Sequence, residues 1–270
     1  MHVSLSKHHG LGNDFLVYDM AQGDQSNWPQ LAQQWCERST GVGADGLLLL
    51  TIVDNTTLGM RLYNADGSIA EMSGNGIRCL AQAAYMLYGH TGNVDYMVAT
   101  DAGPRRVEVQ PLNDTTINAS VDMGLIVSLD EPSNWNTLGT NPDRPVAHIS
   151  VGNPHSVVGV EDVHAVPLKE LGEKVPQINL EIIQPGPENN AITMRVHERG
   201  AGITQACGTG ACASAWAAVQ WGLVPAKSSE VIVHMDGGDV RVKVNAPQAG
   251  HVTLIGPAEH VSTHKAEIVL

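Results

Sequence analysis

Residues 73–87 read SGNGIRCLAQAAYML, and residues 207–221 read CGTGACASAWAAVQW. Each stretch is a small nucleophile-type residue, a Gly-x-Gly leader and an Ala-rich run. The runs Ile77–Tyr88 and Ala211–Trp221 contain no internal Gly or Pro and are apolar on nearly all sides. That is the pattern of a helix enclosed by protein rather than one lying on a surface. Ser73 and Cys207 stand 134 residues apart, close to half of the 270-residue chain. Two further landmarks repeat in the same order. Asn64 lies nine residues before Ser73, as Glu198 lies nine before Cys207, and GNDFLV (Gly12–Val17) parallels GNPHSV (Gly152–Val157). From Asn13 to Ser73 is 60 residues, and from Asn153 to Cys207 is 54. Three matched landmarks in order indicate an internal duplication. The expected domains are residues 1–120 and 121–260, with a last strand at about 261–270 returning to the first. The Pro- and Asn-containing stretch Ser128–Pro145 is the expected join.

Short apolar runs bounded by turn residues surround the two helices. Gly46–Val53, Val94–Thr100, Arg106–Gln110, Thr116–Val121, Ala147–Val151, Ser156–Val160, Ala191–Val196, Val231–Met235, Val240–Val244 and His251–Gly256 read as strands. A third helix is expected over Trp28–Arg38. Many strands with few helices give an α+β fold.

Composition narrows the function. With 28 acidic and 15 basic residues the chain carries a formal charge of −13. Nucleic-acid and anionic-membrane binders recruit Lys and Arg, so neither partner is expected. The longest apolar stretch, near Leu47–Leu50, is far short of a membrane span. No signal-peptide core is evident in MHVSLSKHHG, and a cytoplasmic protein is expected. Four cysteines without a CxxC pair argue against a disulfide scaffold or a zinc ribbon, and no HExxH is present. No metal is expected. Gly41-x-Gly43-x-x-Gly46 matches a dinucleotide fingerprint but precedes a strand. Gly208-x-Gly210-x-x-Ala213 does open a helix, yet its mirror at Gly74 does not match, and the units are not βαβ.

The duplicated leader carries a chemistry. A helix start leaves backbone N–H groups free and bears partial positive charge. A Cys there has its thiolate stabilised, with a pKa that can fall to about 3.5–7.5. The same amides bind a carboxylate, and the glycines let it approach the backbone. Two such starts, one on each side of a carbon attached to that carboxylate, suit stereoinversion. One group takes a proton from one face while the other supplies a proton to the opposite face.

The segments HHGLGNDF (His8–Phe15), GVGADGLLL (Gly41–Leu49), NADGS (Asn64–Ser68), GNGIRC (Gly74–Cys79), GNPH (Gly152–His155), Asn179 in QINLE, and ERGAGITQACGTGACA (Glu198–Ala213) resemble the diaminopimelate epimerase family. The resemblance implies two pseudo-symmetric domains, each a mostly antiparallel sheet wrapped around a central buried helix. It implies pyridoxal-phosphate-independent inversion of LL-diaminopimelate to meso-diaminopimelate, in lysine and peptidoglycan precursor biosynthesis. It also implies a homodimer and no cofactor. By position, the catalytic groups are Cys207, Ser73, His155 and Glu198. Gly74, Asn75, Gly208 and Thr209 would hold the α-carboxylate through their backbone. Asn13, Asn64, Asn153, Asn179, Glu198 and Arg199 would hold the other polar groups, Arg199 being suited to the distal carboxylate. A family binding position falls at Gly46 and is not carried over.

The family has Cys where this chain has Ser73. A helix dipole worth about 0.3–2 kcal/mol cannot bring a hydroxyl into the neutral range. Four readings stay open: a deliberate Cys→Ser change, a natural variant that still closes the cycle, a one-sided reaction such as β-elimination, or an inactive relative. Alternative functions are a racemase, epimerase or dehydratase of another amino acid, of histidine or hydroxyproline type, and a non-catalytic amino-acid binder. A pyridoxal-phosphate enzyme is disfavoured, because neither leader contains a lysine for a Schiff base. Cys36, Cys79 and Cys212 read as packing residues.

Overall fold

The computed structural model describes residues 2–268. The chain divides into two compact units, Met1–Val121 with Gly256–Leu270, and Asp122–Ile255. The segment returning to the first unit therefore starts at Gly256.

The first unit begins with β1 (His2–Gly10) and β2 (Asn13–Asp19), then α1 (Trp28–Cys36), β3 (Gly46–Ile52), β4 (Thr57–Asn64) and β5 (Ile69–Ala70). Helix α2 (Gly74–Tyr88) follows, then β6 (Val94–Thr100), β7 (Gly103–Pro111) and β8 (Thr116–Leu125), which runs past the unit boundary. The second unit holds β9 (Val127–Ser128), β10 (Val146–Ser150), β11 (Pro154–Gly159), α3 (Leu168–Lys174), β12 (Asn179–Pro185), β13 (Ala191–Glu198) and β14 (Gly202–Thr204). Helix α4 (Gly208–Gln220), β15 (Val231–Met235), β16 (Gly238–Val244) and β17 (His251–Glu267) complete it, β17 continuing into the first unit.

Strand pairing establishes the duplication. In the first unit β1–β2 is antiparallel, β2–β3 parallel across α1, β3–β4 and β4–β5 antiparallel, β4–β6 parallel across α2, and β6–β7 and β7–β8 antiparallel. In the second unit β10–β11, β11–β12, β12–β13, β13–β14, β13–β15, β15–β16 and β16–β17 repeat those senses in that order, with α3 and α4 at the two parallel crossovers. Each crossover carries a helix because parallel neighbours cannot be joined by a hairpin.

The two crossover helices of each unit differ in surroundings. α1 is amphipathic, and Trp28, Leu31, Trp35 and Cys36 face Leu16, Tyr18, Leu47 and Leu49 in an apolar cluster. α3 seats Leu168 among Leu180, Ile182, Val158 and Val163. α2 is buried at every residue from Gly74 to Tyr85 and packs against β1, β2, β3, β4 and β7. α4 is buried almost throughout and packs against β10, β11, β12, β13, β15 and β16. Alanine lets strands close around a helix on all sides without leaving voids.

Two expectations are corrected. The stretch 128–145 is no join. It lies wholly in the second unit, where Trp135 is buried in the same cluster as Leu168 and stacks edge-on against His148. α1 ends at Cys36 rather than Arg38, and α2 and α4 begin within their Gly-x-Gly leaders. Among the described residues no helix is long and apolar enough to cross a membrane.

Candidate active site

Ser73 and Cys207 are the N-caps of α2 and α4. Both have extended backbone, φ −140° and −126°, and each side chain accepts from the amide three residues on. Gly76 N–H donates to Ser73 Oγ at 3.0 Å, and Gly210 N–H to Cys207 Sγ at 3.4 Å. Space is tight at both glycines. A Cβ on Gly76 would lie 3.1 Å from Ser73 Cβ, and one on Gly210 would lie 2.7 Å from Glu181 Oε1. The remaining leader amides, at Gly74 and Asn75 and at Gly208 and Thr209, belong to each helix's first turn and are buried.

In the first unit the helix start is set by an amide chain. Arg78, fully buried, donates to Gly74 O at 2.9 Å, Asn75 Oδ1 at 2.9 Å and Pro257 O at 3.1 Å. Asn75 donates to Asn13 Oδ1 at 3.1 Å, and Asn13 donates to Asp45 Oδ2 at 2.7 Å. Asp45 and Asp14 share Arg38, and Asp14 also pairs with Lys7 at 2.8 Å. Desolvation would raise the Asp14 carboxyl, but its bonds to Arg38 and Lys7 prevail and hold it at about 2. Asn64 is exposed at the end of β4 and donates to Ser68 Oγ. A Cβ at Gly46 would lie 2.8 Å from Tyr63 O, so no larger residue fits that position.

In the second unit the matching positions are ionisable. His155 is fully buried, with Nδ1 2.6 Å from Glu181 Oε1 and Nε2 2.9 Å from Asn153 Oδ1. Asn153 Nδ2 donates to Thr209 Oγ1 at 3.3 Å, and Thr209 Oγ1 is 3.5 Å from Cys207 Sγ. Asn179 ties the strand ends together, accepting from Arg199 N–H at 2.9 Å and donating to Pro154 O at 3.1 Å. Arg199 itself is exposed in the turn after β13. Glu198 accepts from Thr204 Oγ1, and its carboxylate lies beside Cys207.

Burial drives the Glu198 pKa up, against its bonds to Thr204 and Cys207. Burial also drives the Cys207 thiol well above its ordinary value, assisted by the charges of Glu198 and Glu181. The sequence expectation of an acidified Cys207 is thus reversed. A helix start offers one amide at 3.4 Å, and desolvation beside two carboxylates outweighs it. Cys207 rests as the thiol. Cys36 and Cys79, buried within helices, are pushed up to about 12, as packing residues would be.

Register equates the two sets. Gly46 pairs with both Phe15 and Asn64. Asn179 pairs with His155, and it meets Glu198 one step beyond the Leu180–His197 pair. Glu198 therefore occupies the place of Asn64, His155 that of Phe15, and Glu181 that of Leu48. Glu181 was missed in the sequence, where a lone Glu inside NLEII repeats nothing in the first half.

The diaminopimelate epimerase family model matches residues 5–128 and 147–261. A diaminopimelate epimerase of Thermosynechococcus vestitus is 40% identical over 96% of this chain and 97% of its own. One of Halothermothrix orenii is 37% identical over 99% of each. Among solved structures, a phenazine biosynthesis protein of the PhzF family from Bacillus anthracis is 14% identical with a TM-score of 0.77, covering 99% of this chain and 100% of that one. A hydroxyproline epimerase from Agrobacterium vitis is also 14% identical with a TM-score of 0.71, covering 98% and 92%. At that identity the two structures establish the fold alone.

Proposed function

The chain belongs to the diaminopimelate epimerase family, and from that premise we propose that it converts LL-diaminopimelate to meso-diaminopimelate by cofactor-independent proton transfer at the α-carbon. The observation that carries this reading is the repeated N-cap: Ser73 and Cys207 head two buried helices in matching strand register, each bonded to the amide of a glycine three residues on. Inversion needs one group for each face of the carbon, and the duplication supplies one group of each kind.

Amides of the two leaders would bind the α-carboxylate and stabilise the carbanion's charge as it delocalises into that group. Cys207, resting as the thiol, is poised to donate. That step leaves a thiolate, to which a protonated Glu198, its proton affinity raised by burial, returns a proton; in the reverse direction an ionised Glu198 takes the thiol's proton before the thiolate accepts the α-hydrogen. His155 holds the Asn153–Thr209 side of the same helix start. Asn13, Asn64, Asn179 and Arg199 would hold the remaining polar groups, Arg199 from its exposed position binding the distal carboxylate. Ser73 acts as a hydroxyl in a place suited to a thiol, so proton transfer at its face limits the cycle. A homodimer and a cytoplasmic setting complete the reading, on the strength of family membership.

Incubation with each diaminopimelate stereoisomer in heavy water tests it. Deuterium enters the α-position of the isomer whose hydrogen faces Cys207, and inversion follows more slowly. Absence of deuterium uptake from every isomer overturns the reading and leaves a binder.

A further inference from the structure

Among the described residues, Glu181 is the one ionisable group beside Cys207 to which the reaction above gives no task. It lies on β12, two residues after Asn179, and is fully buried. One oxygen, Oε1, is 2.6 Å from His155 Nδ1, and Oε2 is buried without a hydrogen-bond partner among the described residues. The fold does not need a charge there, because the first unit fills the equivalent places with Leu48 and Phe15, both buried. A carboxylate kept where leucine packs well, with one oxygen unsatisfied, is retained for what it does to its neighbour.

The hydrogen-bond directions say what that is. Asn153 uses its amide nitrogen on Thr209, so Asn153 Oδ1 is left to accept, and His155 Nε2 must carry a hydrogen. If Nδ1 were then bare and Glu181 ionised, two lone pairs would face each other at 2.6 Å, which is repulsive. One proton must lie between them.

We propose that Glu181 is a positioning residue for the reaction: it shares one proton with His155 and thereby fixes His155 as a donor toward Asn153 and the Thr209–Cys207 helix start. The titratable groups that face Glu181 are His155 from β11, Glu198 from β13 and Cys207 ahead of α4. The carboxylate abuts α4 as well, since Oε1 occupies the space a Cβ on Gly210 would need.

This assignment rests on the proposed epimerisation for its kinetic consequence but not for its structural one, and two readouts separate them. Proton and nitrogen NMR of the full chain, labelled at histidine, reads the pair directly. The expected signal is a strongly deshielded, exchange-protected proton at His155 Nδ1 that disappears in Glu181→Gln. An ordinary imidazole signal in the unsubstituted protein, or a signal unchanged in E181Q, overturns the proposal, and the first of these requires no variant to fold. Kinetically, E181Q should lower kcat for α-hydrogen exchange by about 100-fold with KM little changed, and Glu181→Asp should recover part of that loss. Wild-type kcat in E181Q, or a loss carried by KM alone, also overturns it. If the unsubstituted protein shows the bridging proton yet exchanges no diaminopimelate hydrogen, the reaction is wrong and the shared proton stands.

Discussion

The two units share strand order, pairing sense and helix placement, yet fill equivalent positions with opposite chemistry. Where the second unit buries His155 and Glu181, the first buries Phe15 and Leu48. Where the first buries His8, paired with Phe15 across β1 and β2, the second has Ile149, paired with His155. At the helix start one has a hydroxyl with amide and guanidinium support, and the other a thiol flanked by carboxylates. The scaffold thus tolerates either polar or apolar filling. Buried ionisable groups are a local addition, and around the helix start they are concentrated in the second unit.

The comparison can be broken in order of expected effect. Cys207→Ala removes the thiol proposed to meet the carbon and should lower α-hydrogen exchange by about 10⁴-fold, the upper end for a lost acid–base group. Deuterium uptake by mass spectrometry checks it, and survival of exchange would shift the chemistry to the first unit.

The buried histidine of the first unit has a different role. His8 bonds to Gln82 Oε1 at 2.9 Å and to Ser6, and burial lowers its pKa from 6.5 to about 4, so it is neutral in the fold. Between those values the unfolded chain binds a proton that the folded chain refuses, and stability falls as pH falls. At about 1.4 kcal/mol per pKa unit, roughly 3 kcal/mol is lost by pH 4. Urea melts should show this slope in the parent and its loss in His8→Gln, whereas equal slopes would mean His8 does not titrate with folding.

Packing at the leaders gives the finest contrast. Gly210→Ala drives a methyl within 2.7 Å of a carboxylate oxygen, and Gly76→Ala only within 3.1 Å of a serine Cβ. The first should cost about 2 kcal/mol and the second about 1 kcal/mol. Thermal denaturation ranks them, and a reversed order would mean that Glu181 yields more easily than Ser73.

The helices were legible because alanine without Gly or Pro admits few other readings, and the repeat was legible because its landmarks are polar and spaced alike. Much of the sheet was not. β1 reads HVSLSKHHG, where histidines blur the alternation, and β4 (TLGMRLYN) carries Gly and Arg. Short β5 and β14 have too few residues to show a period. α3 spans seven residues with a glycine inside and no side-chain cap. The positions of Asn13 beside the Ser73 helix start, and of Asn153, His155 and Glu198 around that of Cys207, were legible through the repeat. Glu181 was not, because its counterpart Leu48 is apolar and only register brings it beside His155. The state of Cys207 was misjudged for the same reason: its helix start is local in sequence, and the carboxylates that oppose it come from β12 and β13.

The central claim is that residues 73 and 207 serve opposite faces of one carbon, and Ser73→Cys tests it most directly. The rate of LL- to meso-diaminopimelate conversion, followed by chiral chromatography in parent and variant, should rise by about 100-fold when a thiol replaces the hydroxyl. An unchanged rate, with Cys207-dependent exchange intact, would show that residue 73 is not the second proton-transfer group.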